Sequence, residues 1–430
     1  MKKLFILLIG IIFISQNMQS QEFVLANSNR LESRILALAS FGAAENGGMN
    51  RHAYSVADLK AREHMILLMK KAGLKVSMDE AGNISGRREG KNPNLPVICF
   101  GSHIDTVPSG GKFDGVAGVL VALESIELLN ENNILTNHPL EVIIFTDEEG
   151  GLIGSKAIIG TLTDHDLNRI SNSGKIIKDG IKFLGGNPDK INEAKRDPSE
   201  FKAFLELHIE QGAFLDTEGI QIGIVEGIVG IEEWQVHIYG KANHAGTTPM
   251  KIRQDALLAA SKLIIAVNET VKSFEGNQVG TVGEILAEPG ASNVVPGHVK
   301  MSIELRDLNR EKTLSVFEQI KLKMKAIEEE TVTRIEYKHE HTNIPAILNE
   351  GIKKKMETAA KELGLTYKFM PSGAGHDAQD MAKITPTGMI FIPSKDGISH
   401  SPSEFSKIED ITNGANVMFK TILAIDGSNE

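Results

Sequence analysis

Cysteine is nearly absent: Cys99 is the only one in 430 residues. No intrachain disulfide can form, so the fold must rest on its apolar core and on any metal it binds. Cys99 lies in the apolar run Leu95-Pro-Val-Ile-Cys-Phe100, and that setting predicts a buried, inert thiol. An excess of basic residues is also missing. Lys and Arg number 46 against 56 Asp and Glu, a formal net charge of -10. No broad cationic surface is left to neutralise the phosphates of a nucleic acid. A small anion gripped by one or two placed cations stays possible. Beyond the N-terminus no apolar run is long enough to span a bilayer, and there are no internal repeats or low-complexity tracts.

What is there is a globular composition, 41% hydrophobic and 24% charged, in a chain long enough to favour two domains over one. The start has the pattern of an export signal over residues 1–20: Lys2 and Lys3, an apolar run broken only by Gly10, then the small residue Ser20. The expectation is an exported, periplasmic or extracellular protein. An uncleaved anchor is the alternative, although the run is short for one, and no cysteine follows it for a lipid.

Helical periodicity covers 30–40 and 55–72. Continuous apolar runs then end in polar residues. The run 97–100 leads to His103 and Asp105, 142–145 to Asp147, Glu148 and Glu149, and 204–207 to His208 and Glu210; 389–392 is followed by His400. Residues 114–129 read as a helix opened by Asp114 and Gly115. Unbroken apolar runs separated by helices predict a mainly parallel sheet buried on both faces. In such sheets ligands collect beyond the carboxyl ends of strands. The middle of the chain changes rhythm to strand 234–239, helix 255–271, strands 280–287 and 299–305, helix 311–328 and strand 334–339. That order is β-α-β-β-α-β, a ferredoxin-like α+β unit. The expected fold is therefore α/β: a catalytic domain in two parts, 22–220 and 343–426, around an inserted domain at 221–342. One continuous mixed sheet is the alternative.

His103 and Asp105 stand two apart in extended chain, so both side chains can face one region, and a carboxylate behind an imidazole fixes its tautomer. Asp114 opens a helix. Glu148 and Glu149 offer adjacent carboxylates, one free to bind metal and one to move a proton. His208 and His400 add imidazoles. Three His, a shared Asp and a Glu suit two divalent ions clamping a water. An amide needs both a strong nucleophile and protonation of its leaving nitrogen, and a mobile carboxylate supplies the second.

Six stretches, in order along the chain, carry a family pattern: Gly-Ser-His-Ile-Asp-Thr-Val-Pro with Phe-Asp-Gly-Val-Ala-Gly (101–118), Phe-Thr-Asp-Glu-Glu-Gly (145–150), Glu-Leu-His-Ile-Glu-Gln-Gly (206–212), Gly-Lys-Ala-Asn-His-Ala-Gly-Thr-Thr-Pro-Met (240–250), Ser-Gly-Ala-Gly-His-Asp-Ala (372–378) and Ser-His-Ser-Pro-Ser-Glu (399–404). The chain resembles the two-metal exopeptidase and aminoacylase family. Within it, the nearer resemblance is to the branch of allantoate amidohydrolases, N-carbamoyl-L-amino-acid hydrolases, β-ureidopropionases and ureidoglycolate amidohydrolases. The resemblance implies that His103, Asp114, Glu149, His208 and His400 bind two metal ions per subunit, with Asp114 bridging. It makes Asp105 the orienter of His103 and Glu148 the general base, then acid. His244 would enter the partner subunit's active site. Gln211, Asn293, Arg306 and the backbone of Gly373, Ala374 and Gly375 would hold substrate, and the insert would be the lid and dimerisation domain of a homodimer. Read without the resemblance, Arg306 is a surface ion pair with Asp307 or Glu304, Asn293 a turn residue and His244 an exposed loop residue.

One departure stands out: Gly151-Leu-Ile-Gly-Ser155 replaces the small residue, Arg and Phe that usually follow Glu-Glu-Gly in the branch. It spares the metal ligands and alters a neighbouring pocket wall. The implied reaction is hydrolysis of a C–N bond in a small ureido or amide carboxylate, such as allantoate or an N-carbamoyl amino acid. The alternative is a di-/exopeptidase or N-acyl-amino-acid amidohydrolase of the same fold. A metal-holding binding protein without catalysis is a third reading, disfavoured by Glu148, which a binder does not need. Imidazole and carboxylate donors accept zinc, manganese, cobalt or nickel.

Overall fold

The structure, a computed structural model, describes residues 24–428; the expected export segment lies outside the described residues. Among the described residues no helix is long and apolar enough to cross a membrane. Nine strands form one sheet in the order Lys75–Met78, Ile84–Arg88, Leu140–Phe145, Val97–His103, Phe201–Ile209, Thr387–Ile392, Ile222–Ile228 and Ala346–Ile347, with Tyr367–Ser372 also on Ile222–Ile228. The four strands from Leu140–Phe145 to Thr387–Ile392 are mutually parallel. Antiparallel pairs flank them on both sides.

Burial on both faces explains the unbroken apolar runs. All seven residues of Val97–His103 are buried. Ile98 and Phe100 pack into the larger core with the helices Ser28–Ala39, Val56–Lys71, Val116–Glu131 and Ile408–Asp426, while Val97 and Cys99 pack into the core of the opposite face with Ile158 and Met381. Cys99 is fully buried and free, as its setting predicts. Each fully buried Val, Leu, Ile or Phe contributes roughly 1.5–3 kcal/mol by leaving water. The helix Val116–Glu131 lies close against the sheet because Gly118 has no side chain; a Cβ there would collide with the carbonyl of Leu207.

The second unit is separate from this sheet. Its strands run in the order Ile285–Glu288, His298–Asp307, Gly230–Tyr239 and Arg334–Asn343, all antiparallel, with Val279–Thr281 also on His298–Asp307. The helices Ala256–Ser273 and Arg310–Thr331 complete the ferredoxin-like order. Trp234, Val236 and Ile238 alternate inward along their strand, and Trp234 stacks on Phe317 with centroids 3.7 Å apart. The strand expected at 280–287 is two short pieces. Glu284, between them, donates its N–H to Ser302 Oγ (3.1 Å) instead of to the ladder.

A boundary also moves. Ile222–Ile228 belongs to the nine-stranded sheet, so the antiparallel unit begins at Gly230, one strand later than the expected 221. Only Val229 separates the two strands, and it carries no turn signal. The large sheet brings the polar ends of its parallel strands to one side. There His103 closes its strand, His208 lies one residue from the end of its own, and the 146–149 and 393–400 loops begin.

Candidate metal centre

The five side chains read as ligands converge on Asp114. Its Oδ1 is 3.4 Å from His103 Nε2 and 3.2 Å from His208 Nε2. Its Oδ2 is 3.4 Å from His400 Nε2, and Glu149 Oε2 is 3.6 Å from the same nitrogen. Two groups therefore share one carboxylate: His103, Asp114 and His208, and Asp114, Glu149 and His400. Their spacing fits a metal. Two donors about 2.1 Å from one tetrahedral ion lie about 3.4 Å apart. His103 Nε2 and Glu149 Oε1 are buried without a hydrogen-bond partner, an arrangement that costs free energy unless a cation sits there.

Local structure holds each ligand. Gly115, at φ +63°, turns the chain into the helix after Asp114; a Cβ there would meet the His103 ring at 2.5 Å. Glu404 accepts the N–H groups of Phe113 (2.9 Å) and Asp114 (3.1 Å), and Ser399 Oγ bridges Glu404 Oε2 (2.9 Å) to Asp114 Oδ2 (3.0 Å). His208 is steadied by the carbonyl of Ile209 at Nδ1 (3.0 Å) and by the ring of His376, 4.5 Å away. Behind it Glu206 takes Ser102 Oγ (2.7 Å) and the N–H of Ala378 (2.9 Å). Glu206, His208 and His376 are close enough to suggest another ion site. Both Glu206 oxygens are already engaged, so these groups read as support for His208.

The structure reassigns part of Asp105. His103 Nδ1 lies 3.1 Å from the Asp105 carbonyl, whereas the Asp105 carboxylate is 3.6 Å away. That carboxylate instead accepts the N–H groups of Glu148 (3.4 Å) and Glu149 (3.2 Å), so it orients the loop carrying both acids. Glu148 Oε2 stands 3.7 Å from His103 Nε2.

Burial and crowding shift the acids and bases. Burial first, then Glu149, drives the Glu148 carboxyl well above its ordinary range against the pull of His103. Burial, with Asp114 next, pushes Glu149 up to about 7. Burial alone would raise Asp114, but His208, His103 and His400 together hold it well below the usual carboxylate range. The hydrogen bond to Asp114 raises His400 to about 9.

The substrate candidates divide. Gln211, at φ +58°, is held in the left-handed region by its N–H to Ser394 Oγ (3.0 Å). Its Nε2 reaches Asp114 Oδ2 (2.7 Å) and His400 Nε2 (3.2 Å). Gln211, Arg306, Gly373 and Ala374 line one cleft of about 600 Å³, and Gly375 follows in the same loop. Arg306 spans the two units: its Nε meets Glu304 (2.7 Å), as the plain ion-pair reading expects, and its Nη1 donates to the carbonyl of Gly373 (2.9 Å). His244 and Asn293 sit elsewhere, on the exposed end of the antiparallel unit. The short strand Asn243–His244 pairs with Val294–Val295, and Ala245 donates to the Asn293 carbonyl (2.8 Å). His244 Nδ1 accepts from Gly246 (3.0 Å) and Thr247 (3.2 Å). The replaced segment after Glu149 turns at Gly151 and Leu152, both at positive φ, into the helix Ile153–Ile159.

The sequence reading missed Glu206, His376, Ser399 and Glu404. Glu206 had a signal, since it stands two before His208 in a strand and faces the same side. Glu404 closes the Ser-His-Ser-Pro-Ser-Glu stretch, but its role depends on a contact 290 positions away in the chain.

Comparison with known proteins identifies the family. Residues 99–424 match the model of the peptidase family M20/M25/M40. An N-carbamoyl-L-amino acid amidohydrolase of Geobacillus stearothermophilus is 40% identical over 91% of this chain and 97% of its own. An allantoate amidohydrolase of Escherichia coli (strain K12) is 35% identical over 90% of this chain and 95% of its own. The crystal structure of an amidase of the hydantoinase/carbamoylase family from Burkholderia multivorans superposes with a TM-score of 0.87 at 32% identity, covering 94% of this chain and 99% of that one. Fold and relatives agree: the chain belongs to the peptidase family M20/M25/M40, in the branch whose members carry amidohydrolase names.

Proposed function

We propose that the protein hydrolyses a C–N bond of a ureido or amide group in a small carboxylate, as an N-carbamoyl-L-amino-acid or allantoate type of amidohydrolase. The observation that carries this reading is the Asp114 carboxylate facing two ligand groups, one per oxygen, with the free acid Glu148 beside them. His103, Asp114 and His208 would hold one divalent ion, and Asp114, Glu149 and His400 a second; zinc, manganese, cobalt or nickel all suit these donors. Such a pair supplies Lewis acidity, lowering the pKa of a water and polarising the scissile carbonyl.

The chain's own residues do the rest. Glu148 accepts the proton of the attacking water and delivers it to the leaving nitrogen. The water oxygen adds to the ureido carbon, a C–N bond breaks, and the carbamate half decays to carbon dioxide and ammonia. Asp105 fixes the loop of Glu148 and Glu149. Gln211 orients the ureido group. The Arg306 guanidinium, beside the Gly373-Ala374-Gly375 backbone, is suited to grip the carboxylate in a bidentate pair.

His244 and Asn293 complete the site from a second subunit. His298 and Arg306 stand at opposite ends of one strand, about 26 Å apart at the usual rise per residue. His244 and Asn293 lie at the His298 end and the cleft at the Arg306 end, which supports a homodimer through the inserted domain with His244 crossing to the partner's centre. The N-terminal pattern supports export. The test is release of ammonia by protein reconstituted separately with zinc and manganese. Allantoate and N-carbamoyl amino acids are expected to yield it. Cleavage of dipeptides or N-acyl amino acids alone would overturn the proposal.

A further inference from the structure

The cleft that carries Gln211 and Arg306 has a second character. Beyond those two residues its wall includes Phe214, Val279, Phe369 and Met370, with Glu210, Asn277, Gln278 and Lys368 among its polar members. Phe214 is 64% exposed, Val279 53% and Phe369 39%. Large apolar side chains left open in a concave wall mark a binding surface more often than a structural one. They come from both units, Val279 from the insert and the rest from the catalytic domain. Phe214 is held in place: the Glu210 carboxylate takes the N–H groups of Phe214 (2.9 Å) and Leu215 (2.8 Å). Glu210 also adjoins Gln211 in sequence, so one short segment positions the amide that reaches Asp114 and the ring that lines the wall. The cation nearest that ring is already committed. Lys368 Nζ lies 5.6 Å from the Phe214 centroid and pairs with Glu218 at 2.7 Å, so this part of the cleft offers no free charge for a second anion.

We infer that Phe214, Val279, Phe369 and Met370 form a side-chain subsite, and that the substrate is an N-carbamoyl α-amino acid with a bulky apolar or aromatic side chain. The inference rests on the ureido-carboxylate reading above. With the ureido group at Gln211 and the carboxylate at Arg306, the α-substituent is the part of the substrate left to meet the apolar wall. Allantoate carries a second ureido group there, and ureidoglycolate a hydroxyl. Neither gains from replacing water on phenylalanine rings, whereas apolar groups do. A single methylene in such a pocket changes specificity by about tenfold or more.

The test is kcat/KM of the full-length, metal-reconstituted protein on N-carbamoyl-L-phenylalanine, N-carbamoylglycine and allantoate. The expected result is a preference for the phenylalanine derivative of at least about tenfold over each of the others. In Phe214→Ala, and in Phe369→Ala, the phenylalanine-to-glycine ratio is expected to fall by about tenfold. Both rings are exposed, so neither variant threatens folding. A preference for N-carbamoylglycine or allantoate, or a ratio unmoved in both variants, would overturn the subsite while leaving the ureido-hydrolase reading intact. Hydrolysis of none of the three would remove both together.

Discussion

The large parallel sheet and the small antiparallel one carry their polar residues in opposite ways. In the large sheet His103, Asp114 and His208 are buried, and each has partners that fix it. Their positions are determined several times over, and the preference of the assembled centre for a cation follows from acids and imidazoles crowded where water is scarce. In the small sheet the buried face is mainly apolar, with Glu232 and Asp307 as its buried acids. Of the candidate groups, His244 and Asn293 lie exposed on a two-stranded ribbon at one end of the unit, and Arg306 lies half-buried near the other end, on a strand paired on both sides. The first region gathers the donors of a candidate metal centre within one chain; the second has polar side chains whose role depends on what comes to meet them. A residue of the large sheet should therefore be testable in one chain, and His244 only in an assembly.

The largest expected effect lies in the first region. Glu148→Gln should lower kcat by about 100-fold to 10,000-fold while leaving metal content unchanged, checked by steady-state kinetics beside elemental analysis. Unaltered turnover would remove Glu148 from proton transfer. In the second region, His244→Ala should reduce kcat by about 100-fold with no change in metal content. Mixing that variant with Glu148→Gln sharpens the contrast. If His244 acts across the dimer, mixed dimers hold one intact centre and the mixture regains up to about a quarter of wild-type activity. If it acts within its own chain, mixing restores nothing.

A smaller effect isolates burial from metal chemistry. Burial pushes the Asp79 carboxyl up to about 6 from 3.8, against the hydrogen bonds it accepts from Ala81 and Asn83. Asn83 in turn receives the N–H of Thr146 (2.9 Å), at the start of the loop bearing Glu148. The folded state holds this proton more tightly than the unfolded one. Its contribution to stability is therefore fully present below about pH 4 and is lost as pH rises through about 6. Relative to Asp79→Asn, which cannot titrate there, the wild type should lose up to about 3 kcal/mol between pH 4 and 7, read from denaturant midpoints. An unchanging difference would mean that Asp79 is solvated.

These contrasts also explain what could be read in advance. Apolar runs ending in His, Asp or Glu marked four strand ends, because parallel strands buried on both faces leave a distinctive pattern and deliver polar chemistry to one side. The candidates His103, Glu148, Glu149, His208 and His400 were legible for that reason, and Asp114 from the helix it opens. The Ile222–Ile228 strand was misassigned because nothing in its composition says which sheet it joins. The grip of Glu404 on the N–H groups of Phe113 and Asp114, and the turn of the Asp105 carboxylate towards the 148–149 backbone, depend on tertiary approach and left no local trace. Arg306 shows both sides at once: its ion pair with Glu304 followed from their spacing in a strand, and its reach to Gly373 did not.

Divalent-ion content per chain, measured by elemental analysis after equilibrium dialysis, bears most directly on the shared-carboxylate centre. Two ions are expected in the wild type, no more than one in His400→Ala, and none held tightly in Asp114→Ala. A wild-type protein that retains no ion, or an Asp114→Ala variant that still holds two, would contradict the account.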